Sequence, residues 1–186
     1  MSQIIAYEFL SLDGYFEGPA GYEMDFVRNG FIPEIEEDIA RQYETVEGFV
    51  MGRRTFDSLA RYWPTEAAKD EHLVSFMNTR QKLVISSSQD VSAWANSECI
   101  GSDPVAALRG RQNNAAGDLM IIGSASVVQS LTAARLVDEY RLLVFPVIVG
   151  AGRRLFKPAS APLEMILVRN HRFSNGVLSL DYRLKR

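Results

Sequence analysis

Three short segments carry the residue types that hold phosphates. In Met51-Gly52-Arg53-Arg54-Thr55 the glycine lets the backbone approach a ligand and Thr55 adds a hydroxyl donor. Arg53 and Arg54 offer planar, permanently charged forks suited to a phosphate monoester such as a ribose 2′-phosphate. In Gly123-Ser124-Ala125-Ser126 small residues let a pyrophosphate reach helix N–H groups, and Ser86-Ser87-Ser88 supplies hydroxyls for an adenosine or its phosphate. Each segment also has a plainer reading: Gly52 as a turn before solvated arginines, Ser124 or Ser126 as a helix cap, Ser86 as a strand end. Acid–base candidates are Asp13, Glu17 and Asp25, which flank one loop and could orient a substrate or relay a proton; Asp13 equally suits a turn.

Other suggestive residues lead elsewhere. Gly150-Ala151-Gly152-Arg153-Arg154-Leu155 begins like a dinucleotide fingerprint, but Leu155 stands where the third glycine belongs and Pro158 curtails any long helix. No βαβ unit with an acidic residue follows, so a Rossmann assignment is rejected and a glycine-rich loop able to line a cleft is left. His72 and His171 lack ligand spacing and no metal site is expected. Cys99 reads as a small buried residue, and Tyr62, Trp63 and Trp94 read as packing residues.

The elements that must position these residues follow from hydrophobic period and turn chemistry. Ile4 to Leu10 reads as a strand closed by Asp13-Gly14, and the loop beyond it runs through Gly18-Pro19-Ala20-Gly21. Ile32, Ile35, Ile39 and Tyr43 recur at helical spacing after Pro33. Strand, glycine turn and helix follow at Gly48–Met51, Gly52 and Phe56–Ala60, and again at Leu119–Ile122, Gly123 and Val127–Leu131. Lys82–Ile85 runs into Ser86-Ser87-Ser88, Asp103-Pro104 opens a helix, and Gln112 to Gly117 reads as a loop. Tyr140 to Val149, Leu163 to Val168 and Gly176 to Tyr182 are the closing strands, the last two joined by the hairpin signal Ser174-Asn175-Gly176. Strands alternating with helices predict an α/β fold: a mainly parallel sheet covered on both faces, with an antiparallel edge.

The 186 residues, 47% hydrophobic and 23% charged, fit one domain spanning 1–186 with one core. A net charge of -3 with scattered Lys and Arg argues against nucleic-acid or membrane-surface binding. Glu8 and Asp13 interrupt the apolar start, so no signal peptide is expected, and the longest apolar run is too short for a bilayer. A single cysteine fits a reducing cytoplasm.

Taken in order, Ser11-Leu12-Asp13-Gly14-Tyr15, Val50 to Phe56, Leu83 to Ser86, Ile121 to Ser124, Leu136 to Glu139 and Phe145 to Phe156 resemble the dihydrofolate reductase-like superfamily. Within it they are most similar to the reductase domain of the bifunctional riboflavin-biosynthesis deaminase-reductase, in stand-alone form. The resemblance covers nearly the whole chain. It implies a three-layer α/β/α fold with NADPH lying across strand ends: Gly52, Arg53 and Thr55 near the phosphates, Ser86 and Ser87 near the adenosine, Gly123 to Ala125 at the pyrophosphate. The loop from Asp13 to Gly21 would border the nicotinamide and the substrate. Relatives often carry two adjacent glycines where this chain has Gly123-Ser124. The implied activity is NADPH-dependent reduction of a C=N or ribosyl imine-like centre in a pyrimidine- or pterin-like heterocycle, as in 5-amino-6-(5-phosphoribosylamino)uracil reductase. Because the sequence has no counterpart of the zinc-binding deaminase, at most the reductase step is expected. A non-catalytic, dimeric nucleotide-binding protein is one alternative. A true dihydrofolate reductase is another, with Asp25 the nearest match by order to the pterin-binding acid. The resemblance also implies a homodimer, which the apolar run Leu142 to Val149 could help to form.

Overall fold

The computed structural model describes residues 2–112, 116–158 and 161–185. In chain order the elements are β1 (Ile4–Ser11), β2 (Tyr15–Glu17), α1 (Asp25–Gly30), α2 (Pro33–Tyr43), β3 (Val46–Gly52) and α3 (Arg53–Ala60). Next come α4 (Val74–Thr79), β4 (Gln81–Ile85), β5 (Ser97–Cys99), α5 (Pro104–Gln112), β6 (Asp118–Ile122) and α6 (Ala125–Ala133). The chain closes with β7 (Glu139–Phe145), β8 (Arg153–Arg154), β9 (Met165–Arg172) and β10 (Leu178–Leu184).

Eight strands form one sheet in the order β5-β4-β3-β6-β1-β7-β10-β9. Neighbours from β5 to β7 pair in parallel, and β10 pairs antiparallel with both β7 and β9. The alternation of β1 builds the layers: Ile5 and Tyr7 face a core shared with Phe26, Ile35, Ile39 and Phe56, while Ile4, Ala6 and Leu10 face one shared with Leu108, Val128 and Leu131. Helices therefore cover both faces. Buried Asp38 on α2 accepts from Arg169 of β9 at 3.1 Å, tying α2 to the antiparallel edge.

Local chemistry sets several boundaries. Pro33 starts α2, and Asp103 caps α5 by accepting from the Val105 N–H at 2.9 Å. The strand expected to reach Val149 stops at Phe145, since Pro146 has no N–H for a ladder. The hairpin strands lie slightly later than expected, at Met165–Arg172 and Leu178–Leu184. The short elements α1, α4, β2, β5 and β8 lack a periodic signature long enough to read. Of the expected loop from Gln112 to Gly117, residues 113–115 lie outside the described residues. Among the described residues no helix is long and apolar enough to cross a membrane.

Candidate functional site

The connection from β1 to β3 runs through α1 and α2 on one face, and that from β6 to β7 runs through α6 on the other. Adjacent strands β6 and β1 thus send their chains to opposite sides, which opens a crevice at their carboxyl ends. A cleft of about 890 Å³ lies there. The β1–β6 ladder ends at the pair Tyr7↔Ile122, whereas β1 continues along β7 as far as Ser11. From Glu8 onward, the edge of β1 that faced β6 opens into the cleft.

Two turns shape one rim. Gly123 and Ser124 both adopt left-handed backbone, with φ of +63° and +66°. Glycine is required at the first, because a Cβ on Gly123 would sit 2.8 Å from Thr55 Cγ2. For Ser124 the conformation costs about 1–2 kcal/mol, and its hydroxyl makes two offsetting contacts. The Gly52 N–H donates to Ser124 Oγ at 2.6 Å, and Thr55 Oγ1 lies 2.7 Å from the same oxygen. Ser124 occupies the N-cap position of α6 but makes no side-chain cap bond, so the helix-cap reading does not describe it; its hydroxyl joins the α3 turn to the α6 turn.

The other phosphate-type candidates fall around this rim. Gly52, Arg53, Arg54, Thr55, Ser86, Ser87, Gly123, Ser124 and Ser126 all line the cleft, as does Ser88. Ala125 is fully buried in the core beneath the turn. Arg53 donates from Nε to Asp57 at 2.8 Å and from Nη1 to the Asp90 carbonyl at 2.7 Å, which holds its guanidinium beside the Ser86–Ser88 turn. Arg54 is largely exposed and lies 3.7 Å from Glu17, which also pairs with Arg153 at 3.5 Å.

The acid–base candidates are placed differently. Asp13 accepts from Ser11 Oγ at 2.6 Å, the Val149 N–H at 3.1 Å and the Gly150 N–H at 2.8 Å. The Ser11 hydroxyl, followed by those backbone donors, holds its carboxyl down at about 2. Asp13 is thus an ionised clasp between the first loop and the glycine-rich loop, which is fastened again where β2 pairs with β8 and Arg154 donates to the Asp13 carbonyl at 2.8 Å. Asp25 begins α1 and pairs with Arg28 at 3.1 Å. Among the described residues lining the cleft, neither Asp13 nor Asp25 appears. Asp25 is paired with Arg28, and Asp13 is engaged by the glycine-rich loop.

The cleft instead contains residues that the sequence reading passed over. Tyr7, Glu8, Phe9, Met24, Phe31 and Tyr43 line it, and so does Trp63, read before only as packing. Glu8 is 2% exposed, and its Oε1 has no hydrogen-bond partner. Burial pushes its carboxyl well above the usual range, only partly opposed by the Gly123 backbone N–H. Burial also raises the Tyr7 and Tyr43 hydroxyls. The available signal was Glu8 itself, a lone carboxyl within an otherwise apolar and aromatic strand.

Comparison with known proteins agrees with this geometry. The model of the RibD C-terminal domain family matches residues 2–179. The uncharacterized protein YyaP of Bacillus subtilis (strain 168) is 27% identical over 179 residues, covering 93% of this chain and 90% of that protein. A crystal structure from Shewanella sp. PV-4, provisionally assigned to riboflavin biosynthesis, superposes with a TM-score of 0.81 at 21% identity over 99% of both chains. Dihydrofolate reductase from Enterococcus faecalis, complexed with NADP(H), superposes with a TM-score of 0.64 at 14% identity, covering 99% of this chain and 97% of that one.

Proposed function

Since the chain belongs to the RibD C-terminal domain family, with a dihydrofolate reductase-like fold, we propose that it is an NADPH-dependent reductase of a pyrimidine- or pterin-like small molecule. The observation that carries this reading is the convergence of three strand-to-helix or strand-to-turn junctions, at Gly52, Ser86 and Gly123, on one cleft at the β1–β6 crevice. The residues present fit a dinucleotide. Gly123 leaves no room for a side chain of its own, and the amino ends of α3 and α6 open beside it. Gly123, Ser124 and Ser126 would hold the pyrophosphate, Gly52 and Thr55 the adjoining phosphate oxygens, and Arg53 with Ser86 and Ser87 the adenosine side with its 2′-phosphate. Arg54 would face the same end of the cleft. When bound, NADPH supplies a hydride. Tyr7, Phe9, Phe31 and Trp63 offer apolar and aromatic walls to a flat heterocycle and exclude water from it.

Titration of the chain with NADPH and NADH tests the reading. Binding of NADPH, followed by its oxidation with 5-amino-6-(5-phosphoribosylamino)uracil or dihydrofolate, is the expected outcome; no binding of either cofactor at millimolar concentration rejects it. NADPH binding without turnover of any pterin or aminopyrimidine would support a non-catalytic nucleotide-binding role. We further propose a homodimer. The support is the edge strand β9, whose Ile166, Leu167 and Val168 are about half exposed. Light scattering that finds only monomer would refute it.

A further inference from the structure

A reduction of a C=N bond needs a proton as well as a hydride, so a donor must reach the cleft. The described residues that line it narrow the choice. No histidine, cysteine or lysine is among them. Their two carboxyl groups belong to Glu8 and Glu17, and Glu17 is engaged in ion pairs with Arg54 and Arg153. Tyr7 and Tyr43 are buried phenols that hold their protons more tightly than a free tyrosine. Tyr7 Oη and Glu8 Oε1 are both buried without a hydrogen-bond partner, and of the two the carboxyl is the more acidic group. It projects from the first residue of β1 beyond the last β6 pair, beside the left-handed turn at Gly123.

We propose that Glu8 is the acid that protonates the heteroatom of the reduced bond, a role that rests on the reductase reading above. The free Oε1 marks where a ligand completes the hydrogen bonding of a buried carboxyl, which otherwise goes unsatisfied at a cost. The raised Glu8 carboxyl also suits a site that receives phosphates, since burial disfavours the carboxylate that would repel them.

The step balances. The carbon of the C=N bond receives the hydride while its π pair moves to nitrogen. The Glu8 O–H bond breaks, an N–H bond forms, and the resulting carboxylate regains a proton from water once the product has left the cleft. The substrate gains two electrons and the dihydronicotinamide loses them.

The surroundings favour the protonated form of Glu8. The Tyr43 hydroxyl on α2 feels its charge, and the Gly123 N–H in the turn after β6 donates to it. Helix α6 carries no titratable side chain. Arg141, beside Tyr7 on β7, is committed to Glu139 at 2.8 Å. The cations of the cleft are Arg53, engaged by Asp57, and Arg54 and Arg153, both engaged by Glu17. None of them is paired with Glu8.

Glu8→Gln preserves the shape and removes the transferable proton. Infrared spectroscopy of the wild-type chain near neutral pH should show a protonated-carboxyl C=O band that shifts when NADP⁺ is added and is missing from E8Q. With NADPH and 5-amino-6-(5-phosphoribosylamino)uracil as probe, E8Q should lower single-turnover hydride transfer by about 100-fold or more. Its NADPH affinity should stay within about threefold of wild type, well under the 1.4 kcal/mol that makes tenfold. The wild-type rate should fall as pH rises through the Glu8 titration, and the E8Q rate should lose that limb. If E8Q does not fold, the wild-type band and its response to NADP⁺ still decide whether a neutral carboxyl meets the ligand. Absence of the band near neutral pH, or a wild-type rate in folded E8Q, overturns the assignment and leaves the reductase reading standing. A wild-type chain that binds no NADPH rejects both.

Discussion

The two rims of the cleft are built by different means. On one, Gly52 to Thr55 and Gly123 to Ser126 are joined by neutral hydrogen bonds between turns, through the single hydroxyl of Ser124. On the other, the segment from Asp13 to Glu17 is held by charges reaching far along the chain: Asp13 to Gly150, Arg154 to Asp13, Glu17 to Arg153. The join between the two turns of the first rim is set by backbone conformation and neutral hydrogen bonds. The second rim is largely exposed, so screening and protonation act on it. On the proposed reading, this arrangement would keep the phosphate side fixed and leave the substrate side responsive to conditions.

The sharpest way to break this contrast is Gly123→Ala. The substitution adds the left-handed penalty and an overlap with Thr55 Cγ2 at 2.8 Å, together about 2–4 kcal/mol. NADPH affinity should drop by about 100-fold, measured by fluorescence titration, with a lower unfolding midpoint. A variant that binds normally would show that the turn is not the cradle. Arg53→Ala comes next. Loss of one charge-assisted contact to a 2′-phosphate should weaken NADPH about tenfold and NADH far less. Because Arg53 is already engaged by Asp57 and the Asp90 carbonyl, its contribution belongs at the low end of that class. Equal weakening of both cofactors would move the discrimination to Arg54.

The same contrast explains what could be read from the sequence. Gly52, Ser86 and Gly123 stand where an apolar run meets a polar or helical segment, so strand, turn and cleft-lining residue are encoded within a few residues. The layering of β1 was equally plain in its alternation. Glu8 was hidden, because period two says which face a residue shares but not where the neighbouring strand ends. That depends on β6 stopping at Ile122, more than a hundred residues away. Asp13 was ambiguous for a related reason: its donors at Val149 and Gly150 come from a loop created when Pro146 ends β7. Among the short elements, β2 and β8 exist only as each other's partners.

Ser124 allows a finer test, because strain and hydrogen bonding act there in opposite directions. Ser124→Ala keeps the left-handed strain and leaves the Gly52 N–H without its acceptor, so it should lower stability by about 1–3 kcal/mol. Ser124→Gly loses the same bonds but regains about 1–2 kcal/mol of strain, and should fall nearer wild type. Denaturant unfolding of the pair measures the difference. If glycine is no more stable than alanine, the left-handed φ at Ser124 carries no strain.

The smallest effect belongs to the charged rim and is read by pH. The Asp13 carboxyl is held down at about 2 in the folded chain, against 3.8 ordinarily. Its contribution is therefore complete above the ordinary value and is lost as pH falls through about 2. Hydrogen exchange at the Val149 and Gly150 amides, followed downward from pH 5, should show protection that fades toward pH 2 after correction for intrinsic exchange rates. The Ser124 turn should keep its protection over the same range. Asp13→Asn retains one acceptor oxygen but no charge, so both amides should exchange faster than in wild type at pH 5 and show no corresponding fade. Fading at both rims together would mean that acid opens the whole fold and that the two rims are not independent.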